Sequence, residues 1–257
     1  MMPHDSTALT AASVDPKEVA YYQRLAALWW TEDGPFWPLH RLNALRVEYL
    51  RRHICRHFDR DPTATRTLSG LRMLDIGCGG GILSEAVRRL GAHVTGVDVV
   101  EKNIHIARLH AQQAGLDIDY RAATAEALAA RGEQFDMVLN MEVVEHVADL
   151  PGFMRACTTL VRPGGLMSIA TINRTPIAWL VAIVGAEHVL RWLPKGTHHY
   201  RKLRKPQEVI ALLNDADFAV LAQTGVRVNP FKRSLHLTRF MGVNYMLVAA
   251  KPAQRQM

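Results

Sequence analysis

Leu74-Asp75-Ile76-Gly77-Cys78-Gly79-Gly80-Gly81-Ile82-Leu83-Ser84-Glu85-Ala86 is the stretch that decides the fold. Met73 and Leu74 supply the apolar end of a strand, and helical periodicity runs over residues 82–90. Between them the glycines allow a sharp turn on which a ligand can lie without Cβ atoms in the way. Strand, glycine turn and helix make the first unit of a nucleotide-type α/β fold, whose ligand sits outside the carboxyl ends of the strands.

A dinucleotide fingerprint requires Gly-x-Gly-x-x-Gly. Gly77 and Gly79 fit it, but Ile82 stands at the sixth position and the third glycine comes early, at Gly81. Asp75, at the end of the first strand, suits a cationic group better than a phosphate. The second strand, His93-Val94-Thr95-Gly96-Val97-Asp98, ends in a carboxylate able to accept hydrogen bonds from ribose hydroxyls. Asp98 therefore points to adenosine. Asp75 and the Gly77-x-Gly79-x-Gly81 spacing point to S-adenosylmethionine.

Working outward, strands at about 72–75, 93–98, 118–122, 135–140 and 166–171 alternate with helices at about 82–90, 102–114, 124–130 and 149–161. That order predicts a parallel sheet with right-handed crossovers. Pro163-Gly164-Gly165 reads as the turn into the fifth strand. Residues 218–225 and 245–250 read as two further strands with no helix between them, an antiparallel edge. Upstream, Asp15 and Pro16 open a helix carrying Tyr21, Leu25, Leu28 and Trp29 at helical spacing. A turn-rich aromatic loop, residues 34–38, leads to a second helix at about 42–58 that carries Arg46. Residues 1–14 are small and polar, and are expected to be disordered. The rest, 15–257, is one domain with a helical cap over 15–60 and an apolar-to-basic insertion over 174–205.

The 257 residues are enough for a full core, and 49% of them are hydrophobic, with no run long enough to span a bilayer. Lys and Arg outnumber Asp and Glu by 31 to 24, a net +7 that suits an anionic surface. No basic cluster is interleaved with aromatics, which argues against nucleic acid. Cys55, Cys78 and Cys157 are scattered without metal or redox spacing, as free thiols in a reducing cytoplasm would be. The N-terminus lacks an apolar core, so no signal peptide is expected.

The chain resembles the class I S-adenosylmethionine-dependent methyltransferases, and the likeness extends well beyond the glycine turn. Trp29-Trp30, the run from Phe36 to Asn43 with Arg46, Asp75 to Leu83, Met141-Glu142-Val143-Val144-Glu145-His146-Val147 and Arg162-Pro163-Gly164-Gly165 occur in order. Thr171-Ile172-Asn173-Arg174, Gly185-Ala186-Glu187, Pro194-Lys195-Gly196-Thr197-His198 and Val243-Asn244-Tyr245-Met246-Leu247 follow. As an ordered set over about residues 16–250 they resemble the ubiquinone-biosynthesis O-methyltransferases. The resemblance implies a Rossmann-like, mostly parallel seven-stranded sheet with an antiparallel edge, an N-terminal helical extension and a helical insertion after the fifth strand. It implies methylation of phenolic hydroxyls on polyprenylated intermediates, a 2-polyprenyl-6-hydroxyphenol and a 3-demethylubiquinol. It also implies a cofactor site of Arg46, Asp75, Gly77, Gly79, Asp98 and Met141. Read alone, Arg46 is a solvated helix charge and Met141 is equally a core side chain; the family places both on the cofactor. Thr124 and Ala125 stand where many class I members carry an Asp for adenine, which leaves adenine to backbone and packing. Ala44 replaces a common Pro, and His199-Tyr200 an acidic residue followed by an aromatic.

Glu142, Glu145 and His146 are spaced to share one face if their segment is helical. Such a set could hold Mg²⁺ or Zn²⁺, and the same Glu-His pair also serves metal-free methyltransferases. The family implies magnesium at these three residues. If His146 is not a ligand it can act as general base, because a phenol of pKa about 10 must lose its proton during attack. The apolar run over 176–193, with Trp179 and Trp192, fits an interfacial helix or a lid over the site. Lys195, Arg201, Lys202, Arg204 and Lys205 would meet anionic headgroups, at about 1 kcal/mol each. The family implies peripheral attachment to the inner face of the membrane, and contact with other ubiquinone-biosynthesis enzymes. The alternatives are a methyltransferase of another small phenol, a membrane-peripheral scaffold that binds S-adenosylmethionine without turnover, and an NAD-linked oxidoreductase, which Asp75 and Ile82 disfavour.

Overall fold

The computed structural model describes residues 11–31, 34, 36–181, 200–229 and 234–253. The cap consists of α1 (Pro16–Leu25) and α2 (Trp37–His57). The sheet region then runs β1 (Arg72–Ile76), α3 (Ile82–Arg89), β2 (His93–Asp98), α4 (Glu101–Gln113), β3 (Asp119–Ala122), α5 (Ala125–Ala130), β4 (Phe135–Met141), α6 (Leu150–Leu160) and β5 (Val161–Ile172). A short turn α7 (Pro176–Ala178) opens the insertion, and α8 (Pro206–Asn214), β6 (Ala219–Asn229), β7 (Ser234–Thr238) and β8 (Asn244–Ala250) complete the chain. The sheet order is β3-β2-β1-β4-β5-β8-β6-β7. β1 to β5 pair in parallel, and β8 is antiparallel to both β5 and β6.

Period-two alternation divides the core between the two sheet faces. Leu74, Ile76 and Val138 join one cluster with α5, α6 and α8, while Met73, Met137 and Leu139 join the other with α2 and α3. The order reverses at β1, with β2 and β3 on one side and β4 on the other, and this switch point opens the cleft that holds the site.

The structure adds to the sequence reading in four places. The sheet has eight strands rather than seven. The extra one, β7, is a short edge strand that forms through its pairing with β6 over Gly225↔Thr238 to Asn229↔Ser234, and it carries no buried residue to announce it. α2 begins at Trp37, inside the expected loop, because Pro38 sits in the first turn where no N–H is needed. β5 begins at Val161, and its pairing with β4 shifts register around Pro163-Gly164-Gly165, so the expected turn is an irregularity within the strand. Residues 11–14 are not loose. Ser13 is buried, its hydroxyl donates to Glu126 and its carbonyl accepts from the Ala148 N–H at 2.8 Å. Residues 1–10 and 182–199, and with the latter most of the expected insertion, lie outside the described residues. The three cysteines are free and buried.

Leu139 lies on the central strand β4 with no exposed surface. Leu139→Ala is expected to cost about 2–5 kcal/mol. Urea denaturation should show a lower midpoint at an unchanged slope.

Candidate active site

The cleft at the carboxyl ends of β1, β2 and β4 is lined by Arg46, Asp75, Gly77, Asp98, Met141, Glu142 and His146, and by Glu18, Tyr22 and Trp29 of the cap. It encloses about 1210 Å³, its open mouth included.

The glycine turn leaves β1 with Gly77 and Gly79 at positive φ, conformations that an L side chain rarely adopts. A Cβ on Gly79 would lie 2.4 Å from the Trp29 ring, so the turn and the cap approach as closely as backbone allows. Asp98 accepts the Gly79 N–H at 2.9 Å and the Val100 N–H at 2.8 Å, which aims its carboxylate across the turn. Burial nevertheless raises its pKa, partly offset by those two N–H groups. Asp75 accepts from the Ser84 hydroxyl at 2.6 Å. Burial lifts its pKa to about 6, against the opposing effects of Ser84 and Arg46. Two carboxylates buried together in an open cleft are a site awaiting a cation and hydroxyl donors.

Arg46 and Met141 both line the cleft, and Met141 also packs in the core. Arg46 forms a buried ion pair with Glu142. Glu142 has φ of 58°, a strained value for a non-glycine residue, and is held by the hydrogen bond from its N–H to the Ala170 carbonyl at 2.8 Å.

The common face of Glu142, Glu145 and His146 does not form. After β4 the chain makes a turn, closed by the His146 N–H on the Val143 carbonyl at 2.8 Å, instead of a helix. Glu142 turns to Arg46, and Glu145 is buried with neither carboxylate oxygen hydrogen-bonded. Burial, reinforced by the nearby Glu142 charge, raises the Glu145 pKa well above the carboxylate range. His146 is engaged by the cap, with Nδ1 3.1 Å from Glu18 Oε2 and Nε2 3.2 Å from the Tyr22 hydroxyl. Among the described residues no three His, Cys, Asp or Glu side chains are grouped to hold a metal.

Several of these residues escaped the sequence reading. Glu18 and Tyr22 lie one turn apart on α1, and that i, i+4 spacing on the cap helix was the one available signal. Trp29 donates its indole N–H to Asn103 at 2.8 Å and Trp30 donates to the Gly80 carbonyl at 2.8 Å, so the aromatic pair fastens the cap to the glycine turn. Thr124 caps α5 by accepting the Ala127 N–H, and with Ala123 and Ala125 it lines the side of the cleft next to Asp98.

Comparison with known proteins places the chain among methyltransferases. Residues 74–169 match the family model described as a methyltransferase domain. A ubiquinone biosynthesis O-methyltransferase of Brucella ovis is 53% identical over 96% of this chain and 100% of its own length. One from Sinorhizobium fredii is 54% identical over 93% of this chain and 97% of its own. Among solved structures, the magnesium protoporphyrin IX methyltransferase of Synechocystis with bound SAH superposes with a TM-score of 0.62 at 16% identity, over 90% of this chain and 94% of that one. At that identity the likeness is one of fold.

Asp75→Asn tests the strained carboxylate. A carboxyl whose folded pKa is raised stabilises below its unfolded pKa and loses that contribution as pH rises through the folded value, here between about 4 and about 6. The variant should melt higher than wild type at pH 7 without cofactor, by up to about 3 kcal/mol in stability, and the difference should vanish near pH 4. Its affinity for S-adenosylmethionine, read by calorimetry, should fall at least about tenfold.

Proposed function

The chain belongs to the ubiquinone biosynthesis O-methyltransferases, a family of S-adenosylmethionine-dependent methyltransferases, and from that membership we propose that it methylates phenolic hydroxyls of polyprenylated ubiquinone precursors. The acceptors on this reading are a 2-polyprenyl-6-hydroxyphenol and a 3-demethylubiquinol. The observation that carries it is the meeting, in one cleft, of the paired acids Asp75 and Asp98 with the imidazole of His146.

S-adenosylmethionine, when bound, supplies a methyl group on a sulphonium sulphur and leaves as S-adenosylhomocysteine. Asp98, oriented by two backbone N–H groups, offers its carboxylate to the ribose hydroxyls. Asp75 would attract the cationic amino group, whose charge would relieve the cost of keeping this buried carboxylate ionised. Arg46 would meet the carboxylate end, in exchange for Glu142, and Met141, which lines the cleft, would pack against the adenosine. His146 takes the phenolic proton at Nε2 as the acceptor oxygen bonds to the methyl carbon and the carbon–sulphur pair stays on sulphur. Alignment in the cleft supplies much of the remaining acceleration.

A magnesium ion belongs to the finer expectation, and the donor set as placed does not fit it. Glu142 is held by Arg46, Glu145 is buried behind it, and His146 is engaged by Glu18 and Tyr22. On this proposal His146 is the base, with the Tyr22 hydroxyl yielding Nε2 to the acceptor.

Contact with the cytoplasmic face of the membrane is part of the same proposal. Ile177, Trp179, Leu180 and Val181 expose apolar surface where the insertion begins, and Arg201 and Lys205 are exposed beyond it. Lys202 instead binds Asp15 and Glu18, and Arg204 donates to the Val144 carbonyl, so the basic run offers fewer headgroup contacts than its composition implies. No helix among the described residues is long and apolar enough to cross a membrane.

Transfer of labelled methyl from S-adenosylmethionine to a short-tailed demethylubiquinol is the test. Transfer should proceed in EDTA, and His146→Ala should lower kcat by about 10²–10⁴-fold with cofactor binding intact. Loss in EDTA, restored by Mg²⁺, would mean that ligand binding regroups Glu142, Glu145 and His146. No transfer to any phenol, with cofactor bound, would leave the scaffold.

A further inference from the structure

We propose that Glu18, on the N-terminal helix α1, is the positioning residue of His146; the assignment rests on the reading of His146 as the base. Glu18 Oε2 lies 3.1 Å from Nδ1 of the imidazole, and both side chains are only 14% exposed. Its other oxygen, Oε1, receives the Lys202 ammonium at 2.9 Å, and Lys202 is also anchored by Asp15 at 2.7 Å. Each oxygen thus has one partner, and the carboxylate is held from two sides.

The charge state of this carboxylate settles what it does to the ring. Burial alone would raise the Glu18 pKa, but the hydrogen bond with His146 and the contact with Lys202 hold it below its ordinary value. An ionised carboxylate can only accept, so the imidazole proton resides on Nδ1 and the lone pair on Nε2. That lone pair faces the cleft and accepts from the Tyr22 hydroxyl at 3.2 Å, edge-on to the Tyr22 ring. A phenol oxygen at hydrogen-bond distance from Nε2 is also the arrangement that a phenolic acceptor needs. During transfer the acceptor O–H bond breaks toward Nε2, and the imidazolium formed keeps its Nδ1–H on Glu18, whose negative charge stabilises it. Without Glu18, either ring nitrogen can carry the proton, and only one tautomer presents a base to the acceptor.

The competing role for the same contact is that of a clip holding α1 on the body. A double-mutant cycle separates the two, using the full-length protein, S-adenosylmethionine and a short-tailed demethylubiquinol. Glu18→Gln should lower kcat by roughly 10–100-fold while KM for both substrates changes less than about threefold. In a His146→Ala background the same substitution should cause no further loss of kcat, because a positioning residue has nothing left to position. A clip would give the opposite pattern, with higher KM, a lower melting temperature and an equal loss in both backgrounds, and would overturn the assignment. If His146→Ala lowers kcat and Glu18→Gln does not, the Glu18 role alone falls. If His146→Ala keeps full kcat, the base assignment falls and Glu18 with it.

Discussion

The site depends on the seating of Trp29 against a backbone that carries no side chains at Gly79 and Gly80. A Cβ at either position would lie 2.4 Å from an atom of Trp29, so any larger residue would push the indole off the turn. The indole stacks on Phe36 at 3.8 Å and reaches Asn103 on α4, which makes the contact a fastening between cap and sheet. Trp30 repeats the device on the Gly80 carbonyl and lies flat against His110 of α4. Gly77 likewise makes room for Val143 and Gly81 for Tyr120, so the whole turn is packed against side chains from other elements.

With the cap fixed, α1 brings Glu18 and Tyr22 to His146, and α2 brings Arg46 to Glu142. These contacts make the N-terminal extension part of the active site. The fold supplies Asp75 and Asp98 from its strand ends, an arrangement general to ligand sites at a topological switch point. The cap contributes Glu18, Tyr22 and Arg46, so the cleft is walled by the strand ends on one side and by the N-terminal helices on the other.

The electrostatic state of the cleft fits a protein that gives up stability for binding. Asp75 and Asp98 are buried with raised pKa values, Glu145 is buried with no hydrogen bond to either oxygen, and Glu142 is held in a left-handed conformation. Each is a cost in the free protein, and such costs collect at functional sites. A cationic, hydroxyl-bearing cofactor relieves the first two directly. Glu18 shows the opposite case, a carboxylate already satisfied by Lys202 and His146 before any ligand arrives.

The frame was legible in the sequence because its signals are local. A positive φ that favours glycine, an acid at a strand end and the change from period two to period 3.6 are properties of neighbouring residues, and they located β1, α3, β2 and the two strand-end acids that line the cleft. The same locality explains the misses. β7 has only Leu235 and Leu237 partly buried against the core and is fixed by its pairing with β6, while α2 starts early because Pro38 is compatible with both a loop and a first turn. The Glu142–His146 segment has helical spacing but lies between a strand end and the Asp149 cap of α6, and it turns instead. Tertiary structure alone decided that His146 meets residues 124 and 128 positions away, and that Arg46 meets Glu142 across 96. No periodicity encodes contacts at such separations. They follow from how the cap docks, which depends on the shape of the whole glycine turn and the helix beside it.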